Sequence, residues 1–284
     1  MNKIVYSKGL GKLSLLEIIS RIDRTNVGTK KSVPCYIVDN YAIISSTILC
    51  SDYARQDRII DSVHALADSG VNAVRLYGYV SDESDKRTYG DDSYCSAMFV
   101  MDKAPGQELY KGVSYSHLRT DPEATASLLS YMDMLANAPQ EHYTKFVHDY
   151  MAILRNGVAV DPSKKGNFFY DPDKGFTFID LRNPRNEIGS RFLATNMLTV
   201  ISPYGLTEET RQDSNIARYY DKRAATILIK MDNALLANGF TREDIDECFT
   251  DRRYSDGLYA SGMRFGSFDS VAEARDVLDS DSVM

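Results

Sequence analysis

The stretch GVAVDPSKKGNFFYDPDKGFTFIDL, residues 157–181, gathers the side chains with the clearest chemistry in this chain. A helix is expected to end at Gly157, and a short strand then delivers Asp161. A polar loop carrying Lys164 and Lys165 leads to Asn167, and a hairpin follows whose second strand ends at Asp180. A hairpin returns the chain to its start, so Asn167 and Asp180 are expected to flank one point. An amide oxygen beside a carboxylate suits Mg2+, a hard cation that takes oxygen ligands and bridges nucleotide phosphates. Asp161 is placed to orient an incoming hydroxyl or accept its proton. Lys164 or Lys165 would offset the charge of a phosphoryl group. Asp171 and Asp173 sit in the turn DPDKG and read as turn residues.

These residues need a scaffold, and the rest of the sequence outlines one. SVPCYIVDN and YAIISSTIL are β-branched and aromatic runs that meet at Asp39-Asn40, a hairpin signal. LSLLEIISRI before them is apolar and fits strand or helix, and RTNVGTKKS reads as a polar turn. Residues 52–69 place Ile59, Ile60, Val63, Leu66 and Ala67 on one helical stripe that Gly70 stops. Strands follow at NAVRLYGYVS and YCSAMFVMD, with DESDKRTYGDDS expected as a surface loop between them. KAPGQEL then reads as a hinge, because an apolar strand runs straight into Pro105-Gly106. Helices are expected from TDPEATASLLSYMDMLANA, with Thr120 or Asp121 as N-cap, from HYTKFVHDYMAILRNG, and across 207–249. The Gly-, Ser- and Asp-rich end reads as a partly ordered tail with a short helix near SVAEARDVL.

The 157–181 segment resembles the catalytic and metal loops of protein kinases and of aminoglycoside- and choline-kinase-like phosphotransferases. Their pattern is an Asp, four residues, an Asn, a β-hairpin and a second Asp. On that resemblance Asp161 takes the place of the catalytic Asp, supported by Lys164 and Lys165. Asn167 and Asp180 take the places of the metal ligands, and the thirteen steps between them match the family hairpin. FVMDKAPGQEL is similar to the family's adenine-binding connector, which implies Met101, Asp102, Lys103 and Ala104 as residues against the base. The chain departs from the pattern in several places. Five residues separate Asp161 from Asn167, Ala159 stands where a His is usual, and Leu181-Arg182 follow the metal Asp. Ile44, Ser45 and Ser46 occupy the strand position of the family's phosphate-binding Lys, and its helical partner would be Asp57 or Asp61. Lys30 and Lys31 are the candidates to replace that Lys. Gly9-Leu10-Gly11 and Gly28 are weak traces of a glycine-rich loop.

The resemblance implies an α+β, two-lobed protein-kinase-like fold. Residues 1–102 would form a β-rich N-terminal lobe with a small antiparallel sheet and one helix, and 103–106 the hinge. Residues 107–250 would form a mainly helical lobe and 251–284 a tail. It implies ATP and Mg2+ as cofactors and a small-molecule or protein hydroxyl as acceptor. Two other outcomes stay open: a pseudokinase serving as a nucleotide-binding or interaction module, and an enzyme on the same fold that transfers AMP. Only some twenty residues separate Asp180 from the next helical region, which argues against a conventional activation segment.

Bulk properties narrow the classes. A net charge of −7 over 284 residues argues against a nucleic-acid binder driven by a basic face. No apolar run reaches the roughly 18 residues needed to span a bilayer, and the N-terminus lacks a secretory apolar core, so a cytoplasmic location is expected, with delivery by a specialised secretion system left open. The four cysteines, Cys35, Cys50, Cys95 and Cys248, form no CxxC pair and read as reduced core thiols. The four histidines show no metal-binding spacing.

Overall fold

The computed structural model describes residues 3–22, 27–30, 33–162, 164–181, 190–250, 252–253, 259–260 and 263–281. The chain divides into two compact units. One comprises Met1–Pro105, Ala152–Val160 and Phe178–Pro184; the other comprises Gly106–Met151, Asp161–Thr177 and Arg185–Met284.

The first unit is built on β1 (Lys3–Ser7), α1 (Lys12–Ser20), β2 (Val27–Lys30), β3 (Val33–Val38), β4 (Tyr41–Leu49), α2 (Tyr53–Asp68), β5 (Leu76–Tyr89) and β6 (Asp92–Asp102). The strands form one six-stranded sheet in the order β1-β5-β6-β4-β3-β2, and every pairing is antiparallel. Alternation along β4 and β6 separates the two faces. Ile43 opposite Val100 faces one side, where Leu15 and Ile18 of α1 complete a core. Ile44 opposite Phe99 faces the other side. There α2 buries Ile59, Ile60, Val63 and Leu66, each worth about 1.5–3 kcal/mol.

The turn between β3 and β4 carries Asp39 at φ 52°, as a tight hairpin requires. Three segments differ from expectation or were ambiguous. LSLLEIISRI is the helix α1. VGTK within the expected polar turn is β2, paired with β3. The polar stretch 82–93 is not a loop: β5 and β6 continue as one long hairpin to Tyr89 opposite Asp92, with a register shift between Asp82 and Arg87. Its residues are polar and mostly exposed, so backbone pairing rather than alternation of apolar side chains defines it.

The second unit contains β7 (Gln107–Glu108), α3 (Tyr115–Thr120), α4 (Pro122–Asn137), most of α5 (Gln140–Arg155), β8 (Phe168–Asp171) and β9 (Gly175–Phe178, its last residue in the first unit). It continues with α6 (Ser190–Ile201), α7 (Glu208–Arg211), α8 (Ser214–Ala237), α9 (Arg242–Asp246), the short pair β10 (Arg252–Arg253) and β11 (Tyr259–Ala260), and α10 (Val271–Asp281). Asp121 caps α4 by accepting from the Glu123 N–H at 2.9 Å. The long α8 buries Ala224, Ala225, Leu228, Met231 and Leu235 and packs against α4 and α10. The carboxyl-terminal stretch thus includes a helix docked on α8. Taken in chain order, strands, helix, strands, helices, short hairpin and helices follow the order that the kinase-like resemblance implies. Among the described residues no helix is long and apolar enough to cross a membrane.

Gly106 sits at φ 71°, and a Cβ there would lie 2.1 Å from the Tyr170 carbonyl oxygen. The backbone of the connector can pass this close to β8 only without a side chain. Gly106→Ala is therefore expected to destabilise the protein by about 2 kcal/mol or more, read as a lower urea midpoint at unchanged slope.

Candidate functional site

The first unit encloses a cavity of about 180 Å3 between α2 and the sheet face that carries Ile44 and Phe99. Small-molecule sites usually measure about 300–1,000 Å3, so this one takes a ring-sized group rather than a whole nucleotide. Its apolar walls come from Ile44, Ile59, Val63, Val74, Leu76, Phe99, Met101 and Leu181. Its polar lining residues are Ser46, Thr47, Gln56 and Asp180.

Backbone anchoring puts Asp180 in this cavity's wall. The Phe178 N–H donates to the Asn72 carbonyl at 2.9 Å, and its own carbonyl accepts from the Val74 N–H at 3.1 Å. This short parallel bridge pins the end of β9 beside the start of β5. Ile179 is buried, Asp180 turns out to solvent at φ 56°, and Leu181 is buried again. A left-handed conformation costs a non-glycine residue about 1–2 kcal/mol, and strain of this kind is concentrated at functional positions.

None of the described residues lining the cavity carries a positive charge. Ser46, where the kinase pattern would have Lys, is one of them. Asp57 and Asp61, the expected helical partners, face elsewhere: Asp57 accepts from the Tyr79 hydroxyl at 2.9 Å, and Asp61 from the Tyr6 hydroxyl at 2.7 Å, with Lys8 3.4 Å away. Burial first, and then the Asp61 hydrogen bond, push the Tyr6 hydroxyl up to about 12. The helix presents Gln56 to the cavity instead. The sequence reading did not single out Gln56; the signal that could have found it is its spacing, three, four and seven positions before Ile59, Ile60 and Val63 on one helical face. Lys30 is the last residue of β2, and Lys31 lies outside the described residues.

Of the connector residues, Met101 lines the cavity. The Asp102 N–H donates to the Arg75 carbonyl at 2.9 Å and the Lys103 N–H to the Asn40 carbonyl at 2.8 Å. Both donors are thus committed to backbone carbonyls of the first unit. The Asp102 carboxylate accepts from the Tyr77 hydroxyl at 2.9 Å.

The second unit brings Asp161, Lys164 and Asn167 together. The Asp161 carboxylate lies 3.4 Å from the Lys164 ammonium, and the Asn167 amide donates to the Asp161 carbonyl at 3.3 Å. Asn167 is 2% exposed, held in a 3-10 turn over Lys165–Asn167. Next to it, the Glu108 carboxylate lies over Gly166, 2.1 Å from where a Cβ would stand, so a side chain there would require Glu108 to swing away.

The adjacent lysines diverge. Lys164 is half exposed beside Asp161. Lys165 donates to the carbonyls of Thr199, Val200 and Ser202 at 2.6, 3.0 and 2.5 Å, and lies over the rings of Tyr110 and Tyr204. It therefore caps the carboxyl end of α6, where unpaired carbonyls and the helix dipole favour a cation. Burial pulls its ammonium down to about 7, against the three carbonyls that hold the proton.

The donors at the cavity suit Mg2+. Asp180 supplies a carboxylate, Ser46 a hydroxyl and Gln56 an amide oxygen, all hard ligands, while Thr47, next to Ser46 on the strand, borders the cavity with its side chain on the alternate face. Among the described residues no group of three or more His, Cys, Asp or Glu could hold a metal alone.

The sequence matches no protein-family model and no curated protein. Solved structures similar to the chain include the ROP18 kinase domain in complex with AMP-PNP and sucrose, 11% identical with a TM-score of 0.35 over 75% of this chain and 76% of that one. The aminoglycoside phosphotransferase APH(3'')-Id from Streptomyces rimosus is 11% identical with a TM-score of 0.34, over 82% of this chain and 94% of that one. The same enzyme in complex with ADP and streptomycin gives 11% and 0.29, over 80% and 97%.

Proposed function

We propose that this chain is an ATP- and Mg2+-dependent phosphotransferase acting on a hydroxyl of a small molecule or protein. The observation that carries the reading is Asp180, held left-handed in the wall of a cavity that also offers Ser46 and Gln56. The apolar wall at Phe99 and Met101 would take the base, and the phosphates would extend out of the cavity past the exposed Asp180. In the first unit Asp180 would hold Mg2+, which would neutralise phosphate charge when bound, and in the second unit Asn167 is the further oxygen ligand that the sequence pattern offers. Asp161 would orient the acceptor hydroxyl and receive its proton. Lys164, already beside Asp161, would face the transferred phosphoryl group.

The test is incubation with Mg2+ and ATP labelled separately at the α- and γ-positions. Release or transfer of the γ-label supports phosphotransfer. Transfer of the α-label instead would assign AMP transfer. One observation favours a second, non-catalytic reading: the described cavity lining carries no cation to hold phosphates. Thermal stabilisation by nucleotide with neither label transferred would establish that reading, and no binding of nucleotide at all would sink both.

A further inference from the structure

Two cysteines of the first unit, distant in sequence, meet in space. The Sγ atoms of Cys50 and Cys95 lie 2.6 Å apart, though both are free thiols. Backbone pairing fixes this meeting. In the β4–β6 ladder Ile48 stands opposite Cys95 and Leu49 opposite Tyr94, and the Cys50 N–H then donates to the Ser93 carbonyl at 2.7 Å. Cys95 is 1% exposed, whereas Cys50 is only partly buried. Cys35 is on a different part of the sheet. It stands opposite Ile44, six residues before Cys50 along the strand, roughly 20 Å away at about 3.3 Å per residue. Cys248 belongs to the second unit.

We propose that Cys50 and Cys95 are a reversible disulfide site, oxidised by thiol–disulfide exchange with a small-molecule disulfide. The Cys50 thiolate attacks one sulfur of the oxidant, breaking its S–S bond and releasing one thiol. The Cys95 thiolate then attacks the Cys50 sulfur of the mixed disulfide and releases the second thiol. The protein loses two protons and two electrons, and the oxidant leaves as two thiols. Partial exposure makes Cys50 the first nucleophile, and buried Cys95, already in contact with it, resolves the intermediate before it can accumulate. Burial, then the hydrogen bond with Cys95, raise the Cys50 thiol, so closure quickens as pH rises.

The bond would join the end of β4 to β6 just before α2 begins at Tyr53. Tyr53 stacks on Tyr79 with ring centres 6.0 Å apart, and its hydroxyl lies 3.0 Å from that of Ser81. The first turn of α2, which leads to Gln56 in the cavity wall, would therefore be stapled at its base. Reduction would leave that turn held by Tyr53 and its own helix bonds.

The experiment treats the reduced full-length protein with oxidised glutathione and compares it with a sample kept in dithiothreitol. Titratable thiols of the denatured, alkylation-trapped protein should fall from four to two. Mass spectrometry should find the Cys50 and Cys95 peptides joined with the loss of two hydrogens. Closing a loop of this length should raise the melting temperature by about 5–10 °C in wild type, and amide exchange over residues 52–58 should slow. Cys95→Ala should show neither shift on oxidation while melting near reduced wild type in dithiothreitol. Four free thiols, a stable glutathione adduct on Cys50, or a bond to Cys35 or Cys248 would each overturn the proposal. None of these readouts depends on nucleotide binding.

Discussion

Asp180→Ala is expected to lower Mg2+-dependent phosphoryl transfer from ATP by about 10³-fold while leaving the protein folded. Asp180 is the sole carboxylate among the described residues of the cavity lining, so its loss removes the anionic ligand there. Its backbone separates the functional effect from a structural one. At φ 56° an Asp is tolerated better than most residues, and Ala at the same angle costs slightly more, well under 1 kcal/mol relative to Asp. Asp180→Gly relieves the conformation altogether and should raise stability by up to about 1 kcal/mol. The two variants should therefore shift the melting temperature in opposite directions and lose activity equally. Retained γ-label transfer in Asp180→Gly would rule out Asp180 as a metal ligand.

Asp232→Ala should be strongly destabilising, costing about 3 kcal/mol. Asp232 is 0% exposed on α8. It accepts from Arg242 at 2.5 and 3.0 Å and from Arg275 at 2.9 Å, tying α9 and α10 to the long helix. Truncation leaves two guanidinium groups facing each other without their shared carboxylate. A fully buried pair broken on one side costs about 3–5 kcal/mol, and here both arginine side chains are about half exposed, so water recovers part of it. The melting temperature should fall by about 6–12 °C, with amide exchange over residues 271–281 accelerating most. Asp232→Asn, which keeps the shape and part of the hydrogen bonding, should cost roughly half as much. A loss below about 1 kcal/mol for Asp232→Ala would show that α10 is held by its apolar contacts alone.

Much of the scaffold was readable because its signals are local. The stripe Ile59, Ile60, Val63, Leu66 specifies the buried face of α2, and the Asp39-Asn40 turn joins two β-branched runs that do pair. Asp121 before Pro122 marks the start of α4. The polar arm of β5 and β6 was not readable, since exposed strand residues on both faces carry no alternation. The helix α6 was not singled out in the sequence, although SRFLATNMLTVI carries Arg191, Thr195 and Thr199 four residues apart, a polar stripe, beside the buried Ala194, Met197, Leu198 and Ile201.

Within the candidate site, residue types and spacing singled out Asp161, Asn167 and Asp180, but not Gln56, which came to light only with the cavity. Two decisions needed the tertiary structure. Lys164 and Lys165 are adjacent and chemically identical, yet one stands beside Asp161 while the other caps a helix whose carbonyls come more than thirty residues later. Cys50 and Cys95 share no sequence motif, and a strand ladder brings their sulfurs together. Sequence determines which groups the chain can offer, because side-chain chemistry and local periodicity are written residue by residue. Which of those groups meet is decided only by pairing and packing between segments far apart in the chain.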